Sequence, residues 1–245
     1  MSKIIFTLSL LGLICLNAKD ITVYTYHNHA PFIAGKEMGL SHILVNYLNK
    51  SSDTYNFKLK IVPRSRLNYY LKPWIQKKCE QIKKCDQDWM LLWVNHKWGF
   101  GKDSLSTFSW IKLFEDSNSI IYSKNKKIDY QNVNSLIGKK IGGIAGHKYV
   151  GIDDLVKKGK IIRIDGNNEV SNLQKVIKGR IDATLLPTSS FNYYAKTISQ
   201  VDMLEKSQIK HQVYMRNIMT TNKNTELTQF LKSLDFQTVL KNHVE

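Results

Sequence analysis

Apolar and polar residues alternate with period two in several short runs, and with helical period between them. Asp20–Tyr26 sets Ile21 and Val23 against Thr22, Tyr24 and Tyr26, which predicts a strand. His27-Asn28-His29-Ala30-Pro31-Phe32 follows as a loop with Pro31 fixing its backbone. Gly39-Leu40-Ser41 opens a helix with Ile43, Leu44, Tyr47 and Leu48 on one face. Phe57–Val62 predicts a second strand ended by Pro63, and Ser65–Ile75 a helix carrying Leu67, Tyr70, Leu71 and Trp74. Asp88–Val94 (DWMLLWV) is apolar throughout, as a strand buried on both faces would be. Phe108–Leu113 and Ser119–Tyr122 read as separate extended pieces.

Gly138–Tyr194 repeats the strand–helix alternation most clearly. Strands are predicted at Lys140–Ile144, Ile161–Ile164 and Ala183–Leu186. Helices are predicted at His147–Lys158, entered through Gly142-Gly143-Ile144-Ala145-Gly146, and at Asn168–Lys178. This alternation implies βαβ units and a parallel sheet, with ligands expected at the carboxyl ends of the strands. The chain then returns through extended Val201–Leu204 and Gln212–Met219 to an amphipathic helix at Thr225–Leu240. One lobe is thus interrupted by another, with crossings expected near Ile120–Lys124 and Glu205–Gln212.

Composition adds a compartment and a charge. Met1–Ala18 pairs Lys3 with the uncharged apolar run Ile4–Leu16, the pattern of a secretory signal peptide, and the run is too short to span a bilayer. Cys15 follows Ile14 rather than a small residue, which argues against a lipid anchor there. Export would place Cys79 and Cys85 in an oxidising compartment, where a local disulfide is the expected pairing. The 245 residues include 36 Lys+Arg and 20 Asp+Glu, a net charge of +16. Removing the leader leaves about +15. The lysines are spread along the chain, so a solvated surface and a preference for anions are both open readings; nucleic acid is not expected without a binding motif.

His27 and His29 form a His-x-His pair, read either as cleft or surface histidines or as two metal ligands. Trp98 lies in a Gly-flanked loop and is a candidate to stack on a ligand; Trp93 belongs either to the cleft or to the core. Arg66, just after the second strand, either pairs an anionic ligand or faces solvent. Thr188 and Ser189 are placed to cap a helix and to hydrogen-bond a ligand. No Gly-x-Ser-x-Gly, His-Glu-x-x-His or Walker pattern is present, and no spacing singles out a catalytic triad.

The order of these segments resembles the extracellular solute-binding proteins of family 3, periplasmic receptors of polar amino-acid ABC importers. The resemblance runs through ITVYTYHNHAPF, GLSHILVNYL, DWMLLWVNHKW, SLIGKKIGGIAGHKY and NLQKVIKGRIDATLLPTSSFNYY, over essentially the whole mature chain. It implies an α/β, two-lobed type II periplasmic-binding-protein fold, each lobe a mostly parallel sheet flanked by helices, with a two-crossing hinge. The lobes would be 19–121 with 209–245, and 122–208. It implies a non-enzymatic monomer without cofactor or metal, catching a small polar solute, anionic or ring-bearing ones included. The partner would be an ABC permease or, alternatively, a membrane signalling receptor; a small dehydratase on the same fold is a third reading. Ligand contacts carried over are His29 and Phe32 in the loop after the first strand, Trp93, Asn95, Lys97 and Trp98 after the third, and Gly146, His147 and Lys148 at a helix opening. Two family features are missing: an arginine after the third-strand loop, and an aspartate where Leu186-Pro187-Thr188 stands. The resemblance therefore speaks for the fold more than for an amino acid as ligand.

Overall fold

The computed structural model describes residues 18–80 and 85–244. The leader, Cys15 included, lies outside the described residues. The elements in chain order are β1 (Lys19–Thr25), α1 (Leu40–Lys50), β2 (Tyr55–Ile61), α2 (Arg64–Ile75), β3 (Trp89–Val94), α3 (Ser104–Thr107), β4 (Phe108–Ser123), β5 (Lys140–Ile144), α4 (Ile152–Lys157), β6 (Ile162–Gly166), α5 (Glu169–Ile177), β7 (Ala183–Pro187), α6 (Thr188–Thr197), β8 (Leu204–Lys206), β9 (Gln212–Thr221), α7 (Thr225–Lys232) and α8 (Phe236–Val244). No described helix is long and apolar enough to cross a membrane.

One sheet of nine strands runs through the molecule in the order β2-β1-β3-β9-β4-β7-β5-β6, with β8 beside β4. β1, β2 and β3 are parallel, as are β5, β6 and β7. The two long antiparallel strands β4 and β9 join these halves into a two-lobed fold. β4 pairs β9 from Phe108 to Asn118 and β7 from Asn118 to Tyr122, so it leaves one half and enters the other without a break. Each half buries residues on both faces of its sheet. In the first, Ile21, Leu44, Met90 and Leu231 pack on one face, and Leu67, Trp74, Trp89 and Leu91 on the other. In the second, Ile141, Ile152 and Leu185 form one cluster, and Leu173, Val176, Phe191 and Tyr194 another. Val-, Ile- and Leu-rich strands covered on both faces are what the apolar runs required.

Four expected elements differ. Phe108–Leu113 and Ser119–Tyr122 are one strand, because the polar stretch between them stays in register with β9. Val201–Met203 is a 3₁₀ turn rather than extended. Thr225–Leu240 divides into α7 and α8 around Ser233–Asp235, where the Asp235 carboxylate accepts from Thr238 N and Oγ1 and starts the second helix. The helix expected from His147 begins only at Ile152. Tyr149 folds back so that its hydroxyl accepts from Ile144 N, and its own N–H donates to Asp153 Oδ2. Gly151 then turns the chain at φ 73°. Cys79 and Cys85 are disulfide-bonded, as expected.

Candidate functional site

The loop after β1 meets the second half of the sheet just past the carboxyl end of β7: His29 lies beside Ser190 and Glu169, and Ala30 packs with Phe191 and Tyr194. Two irregularities in the sheet shape the floor. β3 carries an extra residue opposite β9 between Leu91 and Val94. Trp93 takes φ 66° there, a conformation costly for a bulky side chain and characteristic of strained functional positions. β4 carries another irregularity between Lys112 and Phe114. Such bulges re-aim the groups beside them. Here the Trp93 carbonyl turns toward β9 and accepts from Arg216 Nη1 at 3.1 Å.

Arg216 is the centre of the floor and is 1 % exposed. Its guanidinium stacks against Phe32, Tyr214 and Trp98, 4.6, 5.1 and 5.3 Å from the ring centroids. Nε and Nη2 both donate to Asp116 Oδ2, at 3.0 and 2.9 Å. Asp116, on β4, also accepts from Ser117 N, Ser189 N and Ser189 Oγ. The carboxylate therefore links the first lobe's ring cluster, through Arg216, to the first turn of α6 in the second lobe. Burial works against the guanidinium charge, but Tyr214 and Asp116 outweigh it, and the pKa of Arg216 is raised.

The loop after β1 spans the cleft. Ala30 is buried among second-lobe residues Leu173, Phe191 and Tyr194. Nδ1 of His29 lies 3.1 Å from the Ala30 carbonyl, 3.4 Å from Ser190 Oγ and 4.0 Å from Glu169 Oε1. Gly39 holds this loop: at φ 107° it sits so close that a Cβ would fall 2.7–2.9 Å from backbone atoms of Phe32, Pro31 and Ala34. Trp98, His27 and His29 form a row with ring centroids 6.1 and 5.7 Å apart. His27 Nε2 is buried without a hydrogen-bond partner among the described residues. Burial first, then Arg216 and His29, hold the His27 imidazole well below its usual pKa; burial also lowers His29, against the pull of Glu169.

The residues named from sequence divide into two groups. His29, Phe32, Trp98 and Ser189 converge on this floor. Trp93 supplies its carbonyl, while its ring is core and donates to Ser41 Oγ at 2.9 Å. Asn95 braces the backbone, bonding Met215 O and Lys97 N. Thr188 contacts Ser117 and Ser119 through its hydroxyl. Lys97, Arg66, Gly146, His147 and Lys148 are exposed. Arg64 rather than Arg66 braces the third-strand loop, donating to Trp98 O at 2.8 Å and stacking on Tyr26 and Phe100. With the helix starting at Ile152, Gly146-His147-Lys148 presents no helix N-terminus. Gly142 and Gly143 are strand residues, and a Cβ on either would strike Ile181 or Asp165 and Arg163. Arg163 itself is held by Asp153, Asp165 and Ile144 O.

Sequence reading missed Arg216, Asp116 and Glu169. The signal for Arg216 was a single cation inside the apolar run of β9, which burial obliges to find a carboxylate. A cavity of 540 Å³ lies beside the ion pair, lined by Leu113–Ser117, Thr188, Ser189 and residues of α8 including Gln237 and Lys241. Among the described residues no group of three or more His, Cys, Asp or Glu side chains is arranged to hold a metal ion.

No protein-family model matches the sequence. No curated protein matches it either. Solved structures do. An ancestral arginine-binding protein bound to arginine is 13 % identical with TM-score 0.63, covering 92 % of this chain and 98 % of that one. The probable amino-acid ABC transporter extracellular-binding protein ytmK from Bacillus subtilis is 16 % identical with TM-score 0.63, covering 92 % of each. The Bordetella pertussis BvgS VFT2 domain, as a double mutant, is 17 % identical with TM-score 0.59, covering 91 % of each. At these identities the likeness shows the shared two-lobed fold.

Proposed function

We propose that this chain is an exported, monomeric solute-binding protein that captures a small polar ligand between its lobes and presents it to an ABC importer in the inner membrane. The observation that carries the reading is the contact of His29 on one lobe with Glu169 and Ser190 on the other, beside the rings around Arg216. A ligand that touches both walls there stabilises the closed arrangement, which is the differential affinity that hinge closure needs. The apolar leader, the disulfide and the structural likeness to an ABC-transporter binding protein support this reading. Trp98 and His29 are the ligand-contacting residues we favour.

A second reading is a periplasmic sensor whose closed form docks on a signalling receptor, favoured by the likeness to the BvgS VFT2 domain. The test is a thermal-shift screen of residues 19–245 against amino acids, organic acids, sugars and polyamines. A ligand at about 100 times its Kd adds about 2.7 kcal/mol of apparent stability. The expected result is a shift confined to one chemical class and reduced by Trp98→Ala. Folded, ligand-free protein that shifts with no class refutes solute capture.

A further inference from the structure

The two ends of the cleft differ in how far their charges are already satisfied. At one end Arg216 is engaged by Asp116, Trp93 O and the Tyr214 hydroxyl. On the second lobe's wall Arg163 is likewise occupied by two aspartates and a carbonyl. Every nitrogen of both guanidiniums already donates to a protein acceptor, so a ligand carboxylate would have to compete for them. At the other end stands Glu169, the first residue of α5, its side chain only 10 % exposed. Its one polar contact among the described residues is His29 Nδ1 at 4.0 Å, beyond hydrogen-bonding distance. That nitrogen faces the Ala30 carbonyl at 3.1 Å, so its proton is directed there. Burial lowers the pKa of His29, against the pull of Glu169. Unlike His27 Nε2, the Glu169 oxygens are not sealed from solvent without a partner, so they stand open to a ligand's donor. Between the two poles runs the row Trp98–His27–His29, with the unpartnered His27 Nε2 in it.

We infer that the cleft selects an organic cation, an amine or guanidinium compound without a carboxylate of its own, with Glu169 as its counter-ion and the Trp98 and His27 rings as its aromatic wall. This rests on the proposed capture of a solute between the lobes. Aromatic faces attract such cations, and a desolvated carboxylate fixes their position. Two features point the other way: Arg216, whose charge disfavours a proton on His27 and His29 but is paired with Asp116, and the net charge of +16, which acts at a distance. Its lysines are spread over the surface and screened beyond about 8 Å at physiological ionic strength, whereas Glu169 meets the ligand directly.

The experiment is calorimetric titration of residues 19–245 with two matched series. One is agmatine, arginine and 4-guanidinobutanoate; the other is phenethylamine, phenylalanine and 3-phenylpropanoate. The amine member should bind at least about tenfold more tightly than the acid member in one series. Glu169→Gln should lose at least about tenfold for that amine, while Glu226→Gln, an exposed acid far from the cleft, binds as the parent does. Circular dichroism of Glu169→Gln checks that the fold is kept. Tightest binding by an acid or amino-acid member overturns the inference and leaves solute capture standing. So does amine binding that Glu169→Gln leaves unchanged. Binding in neither series overturns the inference, while solute capture is judged separately by the broad thermal-shift screen.

Discussion

Asp116→Asn gives the most direct test of the buried ion pair. The substitution keeps the size of the side chain and removes its charge. Arg216, 1 % exposed, then keeps a buried positive charge with only neutral acceptors facing it. Breaking one side of a buried pair costs about 3–5 kcal/mol. The bonds from Ser189 to the carboxylate weaken as well, since an amide offers one oxygen where the carboxylate accepts on two. In a protein of this size 1 kcal/mol moves the melting point by about 2–4 °C. Asp116→Asn should therefore lower Tm by about 6–20 °C. Arg216→Met alone removes the counter-charge of Asp116, which keeps its bonds from Ser117 and Ser189, and should also destabilise. The double variant Asp116→Leu/Arg216→Met removes both charges and should recover much of the loss, because apolar replacements of buried pairs are often neutral or better. The assay is thermal and urea unfolding of the four proteins as a double-mutant cycle. A fall of less than about 2 °C in Asp116→Asn, or a double variant as unstable as the sum of the singles, refutes the view that this pair is mutually dependent and dry.

The histidines make stability fall with acid. An unfolded His27 takes up a proton near pH 6.5, whereas the folded one, with its pKa well below that value, resists it. Between those values the unfolded state binds more protons, so stability drops as pH falls below about 6.5, by up to about 1.4 kcal/mol per pH unit for one such group. Melting curves from pH 7.5 to 5 should show this slope, and His27→Gln should flatten it; an unchanged slope removes His27 as the cause. Gly39→Ala should destabilise by about 1–3 kcal/mol or more, since φ 107° is open only to glycine and the added Cβ strikes three backbone atoms. Gly146→Ala, at φ 80° but with nothing within 4 Å of the added Cβ, carries the backbone strain without the clash and should cost less. Equal urea midpoints for the two variants would count against the Gly39 argument.

Much of the fold was readable because it depends on local pattern. The apolar strand runs and the helical spacing of Leu173, Val176 and Ile177 mark a repeating βαβ order before any contact is known. The local disulfide followed from two cysteines six positions apart. The errors fell where a tertiary contact overrides local preference. His147–Val150 looks like the first turn of a helix, but Tyr149 has an acceptor role at Ile144 N and a partner in Asp153. Phe108–Ser123 looks broken by its polar middle, yet that middle is paired along β9 and includes Asp116, whose partner lies 100 positions away.

The site divides along the same line. Sequence alone determined that a histidine- and proline-containing loop follows β1, that a Trp-containing loop follows β3, and that both stand at the carboxyl ends of strands. These are short-range properties, set by periodicity and by residues that stop a strand. Only the tertiary structure decided that Arg216 is spent on Asp116 and that Glu169 is left without a donor. It also decided that Trp93 turns its ring into the core and its carbonyl toward the arginine. The reason is electrostatic. Whether a charge is available to a ligand depends on what else desolvates and neutralises it, and those neighbours come from strands and helices far apart in the chain.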